Sequence, residues 1–150
     1  MHGSNLIRAI RIARPEWICE GLGGRLMAEA GMTLHRDLAG EGIMGFVEVL
    51  RKLGAIRRLF HETVAYLERE RPDVVVFIDY PGFNLRLAAE VRRLGINVVY
   101  YISPQVWAWK KRRIHTIARL VDKMLVIFPF EEALYRNIGV PCAYVGHPLL

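Results

Sequence analysis

At 150 residues, with 53% hydrophobic and 24% charged side chains, the chain has the size and balance of one globular domain and falls outside the intrinsically disordered class. Twenty-one Lys and Arg against 15 Asp and Glu leave a net charge of +6, which points to an anionic partner: a phosphate, a nucleic acid or an anionic lipid surface. The only cysteines, Cys19 and Cys142, argue against a disulfide scaffold and a four-cysteine zinc site, and are expected in a reducing compartment. The opening Met-His-Gly-Ser-Asn does not read as a signal peptide. The longest apolar runs, Val74–Ile78 and Met124–Phe130, fall far short of the ~20 residues a spanning helix needs, so contact with a membrane is expected at most, not passage through it.

Helical patterns alternate with short apolar runs, without a repeat, a low-complexity tract or an obvious linker. Ser4 is placed to cap a helix reaching Ala13, with Leu6, Ile7 and Ile10 inward and Pro15 ending it. Trp17–Leu22 reads as a short strand, and Arg25–Ala30 as a short helix stopped by Gly31. Gly42–Glu70 is a long helical stretch, with a break expected near Gly54 and an end at Arg71-Pro72. Its most legible face carries Phe46, Val49, Leu50, Leu53, Ile56, Phe60, Val64 and Leu67. Arg51, Lys52 and Arg58 lie off that face, and Arg57 intrudes at its edge. A basic amphipathic helix of this kind either packs on a sheet, the commoner case, or lies in a membrane interface with its apolar face down.

Asp73–Asp79 (DVVVFID) is a continuous apolar run, suited to a strand buried on both faces of a parallel sheet. Leu85–Leu94 reads as a helix closed by Gly95, Asn97–Ile102 as a strand, and Lys110–Val121 as a basic helix. Lys123–Phe128 is a strand, Glu131–Ile138 a helix with acids in its first turn, and Ala143–Val145 a last short strand. The alternation predicts an α/β fold: a Rossmann-like parallel sheet flanked by helices and joined by right-handed crossovers. Such domains usually open on a central strand and a glycine-rich turn, whereas this pattern opens on a helix. With that first strand missing, exposed strand edges are expected, and with them marginal folding or self-association.

Three places carry chemistry. Asp79 ends a strand and is followed by Tyr80-Pro81-Gly82-Phe83-Asn84. Ligands of open parallel sheets bind beyond strand carboxyl ends, where a carboxylate can serve as a general base; alternatively Asp79 or Asn84 only caps the next helix. Ser103-Pro104-Gln105-Val106-Trp107-Ala108-Trp109 follows the next strand, and its tryptophans either wall a cleft and stack on a sugar face or anchor the loop to the sheet. Lys110, Lys111, Arg112 and Arg113 oppose the macrodipole of the helix they open, which suits a bound phosphate; a solvated basic face is the other reading. The histidines are scattered without metal-ligand spacing, so no metal is expected, and no Walker A sequence or nucleophile elbow is present. Nucleic-acid binding through Arg8, Arg11, Arg14 and the Lys110 cluster has no recognised motif behind it and is not expected.

Together these motifs resemble one family. Ile43-Met44-Gly45-Phe46-Val47-Glu48-Val49-Leu50 is similar to an MGxVEVL element, Asp79–Asn84 to a DxPxFN turn and Ser103–Trp109 to an SPxxWAW loop. Pro129-Phe130-Glu131 and Gly146-His147-Pro148-Leu149 match two later elements, in order. The family is that of lipid-A-disaccharide synthase, inverting glycosyltransferases of the two-domain GT-B fold. The resemblance implies transfer of 2,3-diacylglucosamine from its UDP donor to 2,3-diacylglucosamine 1-phosphate, without metal or other cofactor. It implies Asp79 as the base, with Asn84, Ser103, Gln105, Trp107 and Trp109 around the acceptor or cleft. It raises the membrane reading of Phe46, Val47, Val49, Leu50 and Leu53, because acylated substrates require a site open to a bilayer, here the anionic cytoplasmic face of the inner membrane. Gly82 stands where some relatives carry an acid. The resemblance further implies that residues 1–150 form a single acceptor-side domain, trimmed at both ends: it starts just after a first strand and GExSGD loop, stops where a nucleotide-binding half would begin, and is inactive alone. A non-catalytic lipid-binding module or a gene remnant is the competing expectation.

Overall fold

The structure, a computed structural model, describes residues 2–38, 49–104 and 113–147, with the backbone alone at 49–52 and 113. Two compact units divide the chain, Met1–Leu59 and Phe60–Leu150, and the boundary falls inside a helix.

The first unit runs α1 (His2–Ala13), β1 (Glu20–Gly23), α2 (Arg25–Glu29), β2 (Thr33–Asp37) and the start of α3 (Val49–Glu70). The helix α1 starts earlier than expected, so Ser4 lies within it and is buried rather than standing as its cap. Strand β1 is shifted forward of Trp17–Leu22, and Trp17 and Ile18 remain exposed. It pairs in parallel with β2, a strand the sequence pattern did not suggest, because Thr33–Asp37 offers a single aliphatic residue, Leu34. Ile7, Ala30 and Met32 form the local core, with Cys19, Met27 and Leu34 against it. Glycines make that packing close: a Cβ on Gly3 would stand 2.8 Å from Met27 Cε, and one on Gly23 2.6 Å from Met27 Sδ.

The second unit continues α3 and adds β3 (Val74–Ile78), α4 (Pro81–Arg93), β4 (Asn97–Tyr101), α5 (Arg113–Leu120), β5 (Lys123–Val126), α6 (Pro129–Arg136) and β6 (Cys142–Tyr144). Its four strands pair in parallel in the order β3-β4-β5-β6, with helices between them: the expected Rossmann-like architecture. The interior strands β4 and β5 bury Val98, Tyr100, Met124 and Val126 completely. From α4, α5 and α6 they receive Leu87, Ala88, Val91, Ile117 and Tyr135. Strand β3 departs from the reading of a strand buried on both faces. It lies at the outside of this sheet, and Val74 and Val76 are each 37% exposed.

Helix α3 runs unbroken through Gly54. Leu67 is buried, and Phe60 and Val64 pack on the core of the second unit, as the helical face predicts. Leu53, from the same predicted face, is exposed, whereas Leu59 is buried. Arg71 ends α3 in the left-handed region (φ 47°), and its guanidinium donates to the Leu94 carbonyl at 2.7 Å. Both α4 and α6 start earlier than expected, at Pro81 and Pro129, because proline's missing N–H costs nothing in a first turn. No helix among the described residues is long and apolar enough to cross a membrane.

Candidate functional site

A parallel sheet sends all its strands out at one edge, and the sequence motifs of the second unit gather there. Asp79 follows β3, Ser103 and Pro104 follow β4, Phe128–Glu131 follow β5, and His147 follows β6. The last two motifs touch: the Phe128 ring lies 5.9 Å from the His147 ring and stacks on Phe130 at 5.7 Å.

The exit of β3 is conformationally unusual. Asp79 (φ 49°) and Tyr80 (φ 46°) are consecutive non-glycine residues in the left-handed region, and Ile102, after β4, follows at φ 65°. Each such residue costs on the order of 1–3 kcal/mol, and such strain is found mainly where surrounding contacts hold it. Here the contacts are explicit. The Asp79 N–H donates to the Tyr101 carbonyl at 3.0 Å, continuing the ladder one residue past the strand. The Asp79 carbonyl accepts from Asn84 Nδ2 at 2.7 Å and from the Tyr100 hydroxyl at 2.7 Å. The second Asn84 amide hydrogen goes to the Ile78 carbonyl at 3.3 Å.

This settles the helix-cap alternative. A capping side chain must accept from a backbone N–H, yet the Asn84 amide donates, and α4 has Tyr80 as its N-cap with no side-chain cap bond. Asp79 itself is exposed at the sheet edge. Its charge is felt at Tyr100, whose hydroxyl is held well above the ordinary tyrosine range first by burial and then by the Asp79 carboxylate, against a smaller opposing effect of Asn84.

Ser103 is buried, and its Oγ lies 2.7 Å from Tyr135 Oη and 3.0 Å from the Pro104 carbonyl. A carbonyl can only accept, so the single serine hydrogen goes to Pro104 and Tyr135 donates to Ser103. The bond joins the loop after β4 to α6. Beside it, the buried Glu131 carboxylate accepts from the Phe128 N–H at 3.4 Å across the start of α6. Burial pushes the Tyr135 hydroxyl up to about 12. Because the folded value lies above the unfolded one of 10.0, the associated stability is complete below pH 10 and is lost as pH rises toward 12. Urea unfolding between pH 9 and about 12 is therefore expected to show falling stability, with a shallower fall in Tyr135→Phe.

Of the residues singled out from sequence, the structure brings Asp79 and Asn84 together and places Ser103 at the end of the adjacent strand. Gln105, Trp107, Trp109, Lys110, Lys111 and Arg112 lie outside the described residues, and Arg113 opens α5. Phe46 and Val47 also lie outside them, while Val49 and Leu50 begin α3. The sequence pattern does not single out Tyr100 or Tyr135. The one signal was chemical: a tyrosine in a buried segment needs a partner for its hydroxyl. Among the described residues no group of three His, Cys, Asp or Glu could hold a metal ion.

Comparison with known proteins is consistent along the whole chain. A family model described as lipid-A-disaccharide synthetase matches residues 1–150. The chain is 47% identical to the lipid-A-disaccharide synthase of Syntrophus aciditrophicus (strain SB), covering 100% of this chain and 39% of that protein. It is 46% identical to the corresponding protein of Geobacter sulfurreducens, and 43% identical to lipid-A-disaccharide synthase 1 of Legionella pneumophila (strain Philadelphia 1), in each case over 99% of this chain and 39% of the relative. The chain thus spans about two fifths of the length of these curated relatives.

Proposed function

The chain belongs to the lipid-A-disaccharide synthetase family, and on that premise we propose that it is the acceptor-side part of a glycosyltransferase of lipid A biosynthesis. The reaction joins a 2,3-diacylglucosamine unit from a UDP donor to 2,3-diacylglucosamine 1-phosphate. The acceptor oxygen attacks the donor's anomeric carbon, the bond from that carbon to the UDP phosphate breaks, and UDP leaves with inversion. Asp79 takes the acceptor hydroxyl proton. The observation that carries this reading is the Asp79 turn: an exposed carboxylate at the carboxyl edge of a parallel sheet, on a strained backbone held by three side-chain hydrogen bonds to the Ile78 and Asp79 carbonyls. Ser103 and Tyr135 shape the neighbouring loop rather than meet substrate, since the serine hydrogen is committed to Pro104. The Lys110–Arg113 run supplies candidate phosphate contacts.

The test is direct. Both acylated substrates are supplied to the full-length protein of which, on this reading, these residues are the acceptor-side part. Disaccharide 1-phosphate and UDP should appear in equal amounts, and the 150-residue chain alone should make neither. Absence of disaccharide from the full-length protein would sink the proposal.

Acylated substrates also call for a bilayer, and we place the protein peripherally on the cytoplasmic face of the inner membrane. Leu53, 49% exposed on the basic helix α3, supports that reading, as does the +6 charge. Leu53→Glu, alone and with Leu50→Glu, is expected to weaken co-sedimentation with phosphatidylglycerol-containing vesicles severalfold. Unchanged binding by both variants would remove α3 as the contact.

A further inference from the structure

We propose that Tyr100 is a positioning residue for the Asp79 carboxylate, acting with Asn84 by holding the Asp79 carbonyl and, through it, the paired left-handed conformation of Asp79 and Tyr80. The inference rests on the reading of Asp79 as the base.

The geometry is complete in itself. A carbonyl oxygen has two lone pairs, and at Asp79 both are used, by Asn84 Nδ2 and by Tyr100 Oη, each at 2.7 Å. One donor comes from the first turn of α4 and the other from β4, so the carbonyl is pinned between the strand beside it and the helix after it. Those bonds act on a backbone that does not adopt its conformation for nothing. Two adjacent non-glycine residues near φ 46–49° would relax into the extended or right-handed region without restraint. Relaxation would rotate the Asp79 peptide and swing its side chain away from the sheet edge. Tyr100 is suited to restrain it. Its ring is fully buried, packs 6.0 Å from Phe77, and pairs in register with that residue from β3, the strand that delivers Asp79. Burial also keeps its hydroxyl protonated, so it remains a donor throughout the working pH range.

The experiment is Tyr100→Phe in the full-length protein, which keeps the buried ring and removes only the donor. Displacement of a reacting group by a fraction of an ångström is expected to lower kcat roughly tenfold to hundredfold. KM for the acceptor should stay within about twofold, and the thermal midpoint should fall by a few degrees at most. A structural role alone would not be relieved by easing the backbone. Glycine at position 80 adopts the left-handed region without steric cost, so Tyr80→Gly in the Tyr100→Phe background is expected to recover part of the lost kcat, relative to Tyr80→Gly alone. A wild-type kcat in Tyr100→Phe, or a loss that Tyr80→Gly does not relieve, would overturn the proposal. Asp79→Asn separates the two levels. If Asp79→Asn abolishes turnover while Tyr100→Phe is normal, the positioning role is wrong and the base reading stands. If Asp79→Asn turns over normally, the base reading fails and takes this inference with it.

Discussion

Asp79→Asn in the full-length protein is expected to lower kcat for disaccharide formation by at least a hundredfold while leaving the fold intact. General bases contribute roughly 10²–10⁴-fold, and the amide is nearly the same size but cannot take the acceptor proton. The variant should fold because the interactions that hold residue 79 use its main chain: its N–H bonds Tyr101, and its carbonyl accepts from Asn84 and Tyr100. Asparagine also tolerates the left-handed region that residue 79 occupies. The measurement is steady-state UDP release with both acylated substrates, alongside circular dichroism to show an unchanged fold. Retention of more than about a tenth of the wild-type kcat would remove Asp79 from the role of base.

The largest expected effect on stability is Tyr135→Ala. The side chain is fully buried in α6, inside the main core, and its hydroxyl is the donor to the buried Ser103. Truncating a buried aromatic to alanine costs about 3–5 kcal/mol, and leaving Ser103 without its donor adds to that. Against the roughly 5–15 kcal/mol that a domain has in total, this amounts to a large part of its stability. Tyr135→Phe separates the two contributions, because the ring stays and only the hydrogen bond is lost, for about 1 kcal/mol. Urea unfolding of the three proteins checks both values. Equal midpoints for Tyr135→Phe and Tyr135→Ala would show that ring packing contributes little, contrary to the burial.

The two residues illustrate different kinds of legibility. Asp79 was readable because its neighbours are local: an apolar run, an acid at its end, and Pro81 two residues on. Tyr135 looked like any aromatic in a short helix, because its partner Ser103 is 32 residues away. Tyr100 was equally silent, since the atom it holds belongs to a residue 21 positions back. The differences between sequence pattern and structure have the same origin. Val74 and Val76 carry the signature of a strand covered on both faces, but coverage depends on which strand lies alongside, and among the described residues only β4 pairs with β3. Strand β2 leaves little mark in the sequence because a lightly buried strand has little hydrophobic alternation to display. Asn84 had two local roles open to it, and only its position against the Ile78 and Asp79 carbonyls excluded the cap.

What the sequence alone determined is what short-range chemistry enforces. Periodicity marked most of the helices and strands, alternation set the parallel α/β class, and ordered motifs pointed to the family. The tertiary structure decided which of those motifs share an edge, which strand lies outermost in its sheet, and which buried hydroxyls meet which carbonyls. The physical reason is that a hydrogen bond between distant residues leaves no period in the chain. It exists only once the crossovers have brought β3 against β4 and the loop after β4 against α6.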